Sequence, residues 1–347
     1  MNVTIRVALV GLDHWYTAIA LAEAISARDD VALAGIADAE PDRAGEVAQR
    51  SGCDRVEQQW RALVEDPDID AVASFISTEQ NPDVCVAAAE AGKHLLSIKP
   101  LARNLEEATR VVAAVRRAGV HFLPAESRHR LSDLSTTLKL WLTEGRLGEL
   151  VSASFSLWAG LPQRWPGDID PGWFADPARA PGGAWIDHAI YQLDLLRFLL
   201  DDEVASVSGR VANLRDVHLP VEDWGVATVA CAGGTQAILE DTWTSPQGRF
   251  QQSTTLVCSK GGIRLDGIRN SMQVLGGFPP FSGWVETEPL QRRSDGIDHW
   301  LALIRGEAKP VATVDDAWRN LAACTAFYEA ARSGRTVTPQ ELPNEAA

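Results

Sequence analysis

Basic charge is what this sequence has least of. Across 347 residues, 32 Lys and Arg stand against 47 Asp and Glu, for a formal charge of −15. Binding a phosphate backbone takes clustered Lys and Arg, so nucleic acid is excluded as a partner. The negative excess suits a soluble protein instead. No apolar run approaches the roughly 18 residues of a membrane span, which excludes a transmembrane helix. The five cysteines (Cys53, Cys85, Cys231, Cys258, Cys324) are scattered, with no C-x-x-C pair. That spacing argues against metal ligation and disulfides, and for free thiols in a reducing compartment. Repeats and low-complexity segments are absent. Met1 to Val10 runs straight into a strand with no leader pattern, so the expected location is the cytoplasm.

What is present is ordinary globular composition, 46% hydrophobic and 23% charged, in a chain long enough for two cores. The first third alternates short β-branched runs ("RVALVG", "VALAGIAD", "DAVASFIS", "KHLLSIKP", "VHFLPAE") with helical stretches. This alternation predicts right-handed β-α-β units and a parallel, Rossmann-like sheet over residues 1–125. From about Leu150, runs such as "LVSASFSLWAG", "WGVATVACA" and "STTLVCSKGGIRLDG" alternate apolar and polar residues between Gly-rich turns. They predict an α+β domain over 126–340 with a large, mostly antiparallel open sheet, whose last helix packs back on the first domain. The last dozen residues read as a loose tail.

The first strand–turn–helix, "VALVGLDHWYTAIA", is the setting of the dinucleotide fingerprint G-x-G-x-x-G. Only Gly11 of the three glycines survives; Asp13 and Tyr16 hold the other two positions. Asp38 ends the second strand, where a carboxylate accepts ribose hydroxyls and repels a 2′-phosphate, favouring NAD over NADP. Two outcomes are open for Asp13. Its carboxylate caps the helix N-terminus and competes with a pyrophosphate, or the turn is reshaped so that Asp13 faces away and backbone or His14 meets the phosphates.

"SIKP" closes a strand of the first domain and places Lys99, beside Pro100, at the C-terminal sheet edge where ligands bind in open α/β folds. In "PGGAWIDHAIYQLDLLRFLL", Gly182 and Gly183 precede a helix on which Asp187 and Tyr191 are i and i+4, on one face. A tyrosine one turn from an aspartate suits proton transfer. Asp194 follows at i+7, and His188 reads first as a structural polar residue. Trp158, Trp165, Trp173 and Trp185 crowd together with Arg164, Asp168 and Asp170 among them. Flat aromatic faces beside polar groups suit a sugar ring. Trp165 and Trp173, in a Pro/Gly-rich loop, are the better candidates, with Arg164 and His188 beside them. Arg128 and Arg130, at the start of the linking helix, are candidates for the same cleft.

Together, the Lys-Pro strand end and the Gly-Gly-x-x-x-Asp-x-x-x-Tyr helix leading into an antiparallel sheet resemble the Gfo/Idh/MocA oxidoreductase family, over most of the chain. That family usually carries Glu-Lys-Pro, where Ile98 stands here in the Glu position. It usually carries Asp-x-x-x-His, where Tyr191 stands here, as in a tyrosine-bearing branch. Its Thr-Pro-Asn-x-x-His after the fourth strand is "STEQNPD" here, with Ser77 at its start. The resemblance implies hydride transfer between a nicotinamide, NAD in preference to NADP, and a sugar, polyol or cyclic alcohol. It implies Tyr191 as acid/base, Lys99 assisting it and Asp187 orienting, with no metal. It implies Gly11, Asp13, His14, Asp38, Ser77, Lys99 and Pro100 around the cofactor, and a homodimer or homotetramer packed through the C-terminal sheet. Two rivals share the fold: an NAD-assisted glycoside-cleaving enzyme or lyase, and a cofactor-free binding or regulatory protein.

Overall fold

Short apolar runs separated by helical stretches build the first third of the chain in strict alternation. The elements are β1 (Ile5–Val10), α1 (Trp15–Ser26), β2 (Val31–Ala37), α2 (Pro41–Ser51), β3 (Val56–Glu57) and α3 (Arg61–Val64). They continue with β4 (Ala71–Ser74), α4 (Asn81–Glu90), β5 (His94–Ser97), α5 (Leu105–Ala118) and β6 (Phe122–Pro124). The computed structural model describes residues 4–344. All neighbours in this six-stranded sheet are parallel, in the order β3-β2-β1-β4-β5-β6. Near-continuous apolar strands such as β1 and β4 follow from burial on both faces.

A 3-10 turn at Ser127–Leu131 and α6 (Asp133–Thr143) lead into β7 (Leu150–Trp158), α7 (Ala184–Leu200), β8 (Val204–Ala212), β9 (Trp224–Cys231) and β10 (Gln236–Thr242). Then come β11 (Gln251–Cys258), β12 (Gly261–Asp266), β13 (Ser271–Phe278), β14 (Phe281–Thr287), α8 (Ile297–Ile304) and α9 (Val314–Ser333). The eight-stranded sheet runs β14-β13-β12-β11-β7-β10-β9-β8, antiparallel except where β10 lies parallel to β7. Sequence alternation cannot reveal that one parallel pairing, because it fixes which face a residue takes and not which strand lies beside it.

The two final helices return to the first sheet. Ile297, Trp300 and Leu301 of α8 share a core with α1, α2 and the β1 face, and Arg305 pairs with Asp30. From α9, Trp318 Nε1 donates to Thr109 Oγ1 on α5 at 2.9 Å, and Asp315 pairs with Arg116. One face of the large sheet is covered by α7 and α9. The other exposes Val151, Trp158, Ile238, Val257 and Trp284, each about half accessible. The tail is tied, not loose, at Val337, which forms an antiparallel bridge to Val207. Residues 1–3 of the leader reading and 345–347 of the tail reading lie outside the described residues. All five cysteines are free, and among the described residues no helix is long and apolar enough to cross a membrane.

Candidate active site

The Gly-Gly pair before α7 is dictated by packing. A Cβ on Gly182 would stand 2.0 Å from the Tyr328 hydroxyl, and one on Gly183 would stand 2.2 Å from the Glu222 carbonyl oxygen. The buried Glu222 carboxylate accepts from Gly183 N (3.0 Å), Trp185 N (3.2 Å) and Tyr328 Oη (2.7 Å). A protein carboxylate therefore fills the anion-seeking N-terminus of α7. Nothing local in the sequence marks Glu222, which reaches α7 from the strand-leading loop before β9. This cap fixes the helix that carries Asp187 and Tyr191.

The Lys99–Pro100 peptide is cis, and Lys99, at the end of β5, is almost fully buried against α7. Its Nζ donates to the Asp187 carbonyl at 2.6 Å and to the Asp187 carboxylate, and stands 5.4 Å from the Tyr191 ring centre. Burial works against the Lys99 charge, but Asp187, Tyr191 and Tyr16 outweigh it and hold the ammonium above the ordinary lysine range. Burial likewise works against the Asp187 carboxylate, and Lys99 overrides it, aided by His188 and by Trp243 Nε1 donating at 3.2 Å. Both partners thus stay charged at neutral pH, so the ammonium is a fixed positive charge beneath Tyr191.

These groups line a cavity of about 1070 Å³ between α1, the 3-10 turn, α7 and the inner face of β7 and β11. His129 tilts against Tyr191, ring centres 5.4 Å apart. Burial, then Arg128 and Arg293, lower it to about 3. Its Nδ1 accepts from Ser294 N at 3.3 Å, which leaves the hydrogen on Nε2. His188 also faces the cavity; burial lowers its pKa, and its Nδ1 has no hydrogen-bond partner. Tyr16, from the first turn of α1, stands into the same cavity. At the third glycine position it thus serves as cavity wall, with nearly half of its surface accessible.

Several sequence candidates sit elsewhere. Arg130 reaches the cavity wall, but its guanidinium is committed to Asp194 (2.6 Å) and Asp316 (3.1 Å). Asp194 is likewise absorbed by Arg130, Ser127 and Asn320. Arg164, Trp165 and Trp173 do not line the cavity with Tyr191. They belong to the segment 160–183, which folds over the C-terminal edge of the parallel sheet. Gln163 O accepts from Trp15 Nε1 (2.9 Å), Arg164 pairs with Glu40, Trp165 lies under Arg43, and Arg179 pairs with Glu79 (2.6 Å). The stacked Trp173 and Phe174 cover the buried His14 ring at 4.9 and 5.3 Å. A Pro/Gly-rich loop with four tryptophans nearby gave no sign of which neighbour it would cover.

At that edge, Gly11 takes a φ of +79°, and a Cβ there would stand 2.5 Å from Ile76. Asp13 does not cap α1. Its Oδ2 accepts from Ser77 N at 2.7 Å, and α1 begins with no side-chain cap. Burial raises the Asp13 pKa despite that bond. Asp38 lies beside the turn, its two oxygens accepting from Leu12 N and Glu40 N, both at 2.8 Å. Both ring nitrogens of His14 are buried without partners, and burial, with Lys99 adding, lowers its pKa to about 3. An uncapped helix N-terminus, a carboxylate at the end of β2 and the cations Arg43 and Arg179 fit a dinucleotide.

The comparisons with known proteins agree with this geometry. The family model described as "Oxidoreductase family, NAD-binding Rossmann fold" matches residues 5–125, and that of the "GFO/IDH/MocA C-terminal domain" matches 135–264. The chain is 27% identical to 1,5-anhydro-D-fructose reductase of Ensifer adhaerens, over 85% of this chain and 87% of that protein. It is 26% identical to myo-inositol 2-dehydrogenase of Thermotoga maritima, over 78% of each. Levoglucosan dehydrogenase in complex with NADH shares the fold, with a TM-score of 0.83 at 22% identity, covering 98% of this chain and all of that one. With both halves matched in order and the Lys99–Asp187 pair at their junction, the chain belongs to the Gfo/Idh/MocA family of oxidoreductases, whose first domain is an NAD-binding Rossmann fold.

Proposed function

We propose that this oxidoreductase interconverts a hydroxyl and a carbonyl on a sugar or polyol held in the cavity between its two sheets. The observation that carries this is the buried Lys99 ammonium, ion-paired to Asp187 and facing the Tyr191 ring on the cavity wall. NAD, when bound, supplies the hydride acceptor or donor. Gly11, the N-terminus of α1, Asp38 and Arg179 would hold it, with Lys99 and Pro100 at its reactive end. Asp38 favours NAD over NADP, since Arg43, the nearby cation, is already paired with Glu40.

Tyr191 holds the substrate hydroxyl and takes its proton in oxidation, or returns it in reduction. Lys99 stabilises negative charge developing on the phenolic and substrate oxygens, in a site where low solvent access strengthens that interaction. Asp187 orients Lys99 through two bonds and is itself oriented by Trp243. His129, neutral with its hydrogen on Nε2, offers a second donor beside Tyr191. The exposed apolar residues of the large sheet belong to the same reading, as the face on which a second copy of the chain packs. Light scattering at micromolar concentration tests that part, and a monomer mass contradicts it.

The catalytic test is a double-mutant cycle. Lys99→Ala and Tyr191→Phe each cut turnover by orders of magnitude, and the double variant is scarcely worse than either, because groups acting as a unit are non-additive. Full turnover in Tyr191→Phe contradicts the assignment.

A further inference from the structure

Arg128, Arg292 and Arg293 all face the large cavity. The neighbouring Arg130 is paired with Asp194 and Asp316. None of these three, by contrast, makes an ion pair or donates a side-chain hydrogen bond among the described residues. Arg128 Nε and Arg292 Nη2 are buried with no partner at all, whereas Arg293 is exposed at the cavity mouth, 5.7 Å from the Phe250 ring centre. Leaving those two buried donors unsatisfied has a desolvation cost that folding alone gives no reason to bear. In a chain of net charge −15 the concentration of free cations at one place is the more pointed.

The carboxylates of the cavity do not answer them. Asp187 and Asp194 are committed to Lys99 and Arg130. The buried Glu126 is pushed up to about 7 by burial and by Asp194. Asp295 accepts from Ile297 N at 3.0 Å, and Asp133 is exposed at the start of α6. The cationic field is felt at the reacting end of the site: Arg128 and Arg293 both act on His129, and Arg293 on His188.

We infer that the substrate is an anion, a sugar or polyol whose carboxylate or phosphate is gripped by Arg128, Arg292 and Arg293 while its hydroxyl meets Tyr191. The inference rests on the oxidoreductase reading for the reaction, but not for the binding. Guanidinium forks match both oxyanions bidentately, and each charge-assisted contact made or lost changes affinity by about tenfold or more.

Calorimetric titration of the full chain, without cofactor and again with NADH, uses three probes: D-gluconate, D-glucose 6-phosphate and D-glucose. At least one charged sugar is expected to bind about tenfold or more tightly than D-glucose. Preference for gluconate assigns a carboxylate, and preference for the phosphate ester assigns a phosphoryl group. In the double variant R128Q/R293Q that ratio falls toward one, whereas R128K/R293K, which keeps the charge, retains part of it. A thermal midpoint within a few degrees of wild type separates this from misfolding. Equal binding of D-glucose, binding of neither charged sugar, or a ratio that survives R128Q/R293Q overturns the inference. If the preference is present but the preferred sugar yields no NADH from NAD, the oxidoreductase reading fails and this one stands. NADH formed from D-glucose without any preference gives the reverse.

Discussion

Two strand ends meet the same interdomain space in different ways. At the end of β5, Lys99 stands beside the cis Pro100, and the facing Asp187 closes the ion pair. At the end of β1, the turn from Gly11 to Tyr16 lost two of three glycines, yet it preserves the uncapped helix N-terminus by turning Asp13 onto Ser77 N. The difference lies in what each site must do. A charge pair has to use particular side chains at particular places, whereas phosphate binding by a helix uses backbone N–H groups that different sequences can present. A side-chain site is therefore read from residue types, whereas a backbone site can be presented without its sequence motif.

The comparison breaks most visibly at Lys99, where alanine leaves Asp187 buried without its cation and costs orders of magnitude in kcat together with stability. Next in size is Asp38→Ala, which removes the acceptor from Leu12 N and Glu40 N and weakens NAD binding by about tenfold or more, read by calorimetry. Arg179→Ala unfastens the covering segment from Glu79 and removes a cation near Asp13, so NAD dissociates several-fold faster in stopped flow. Asp13→Gly changes NAD affinity by less than about tenfold, because the carboxylate already faces Ser77 and not the helix axis. Creation of NAD binding where wild type shows none would instead identify Asp13 as a lock.

The smallest effect is on stability. Burial raises Glu126 above its unfolded pKa to about 7. The folded state therefore holds a proton that the unfolded state has released, and stability contributed below the unfolded pKa is lost as pH rises toward 7. Glu126→Gln removes that loss and raises the thermal midpoint by a few degrees at pH 8, with little change near pH 4.

Most of the fold was legible because its apolar runs are short and bounded: β1, β2, β4 and β5 each end at a turn before a helix, and the later strands alternate apolar and polar residues. Lys99, Asp187, Tyr191 and Arg128 were legible too, since strand end, i/i+4 spacing and helix start place them on one wall. What escaped depends on pairings distant in sequence. Glu222 caps α7 from 39 positions beyond Gly183 at the helix start. Arg292 and Arg293 are two arginines in a loop before α8, without any periodic signal. Tyr16 faces the cavity only because α1 starts at Trp15 and turns it there. Arg164, Trp165 and Trp173 were read as one sugar-binding cluster with the cleft residues, but that segment folds over the sheet edge beside the cavity, where Trp173 shares a small pocket with Lys99 and Asp187 and none of the three lines the cavity with Tyr191.

Calorimetric titration of the full chain with NAD and then with NADP measures directly whether the altered turn still serves a dinucleotide. The expected result is one NAD bound per chain, at least about tenfold more tightly than NADP. Absence of heat with both nucleotides, or tighter binding of NADP, contradicts it.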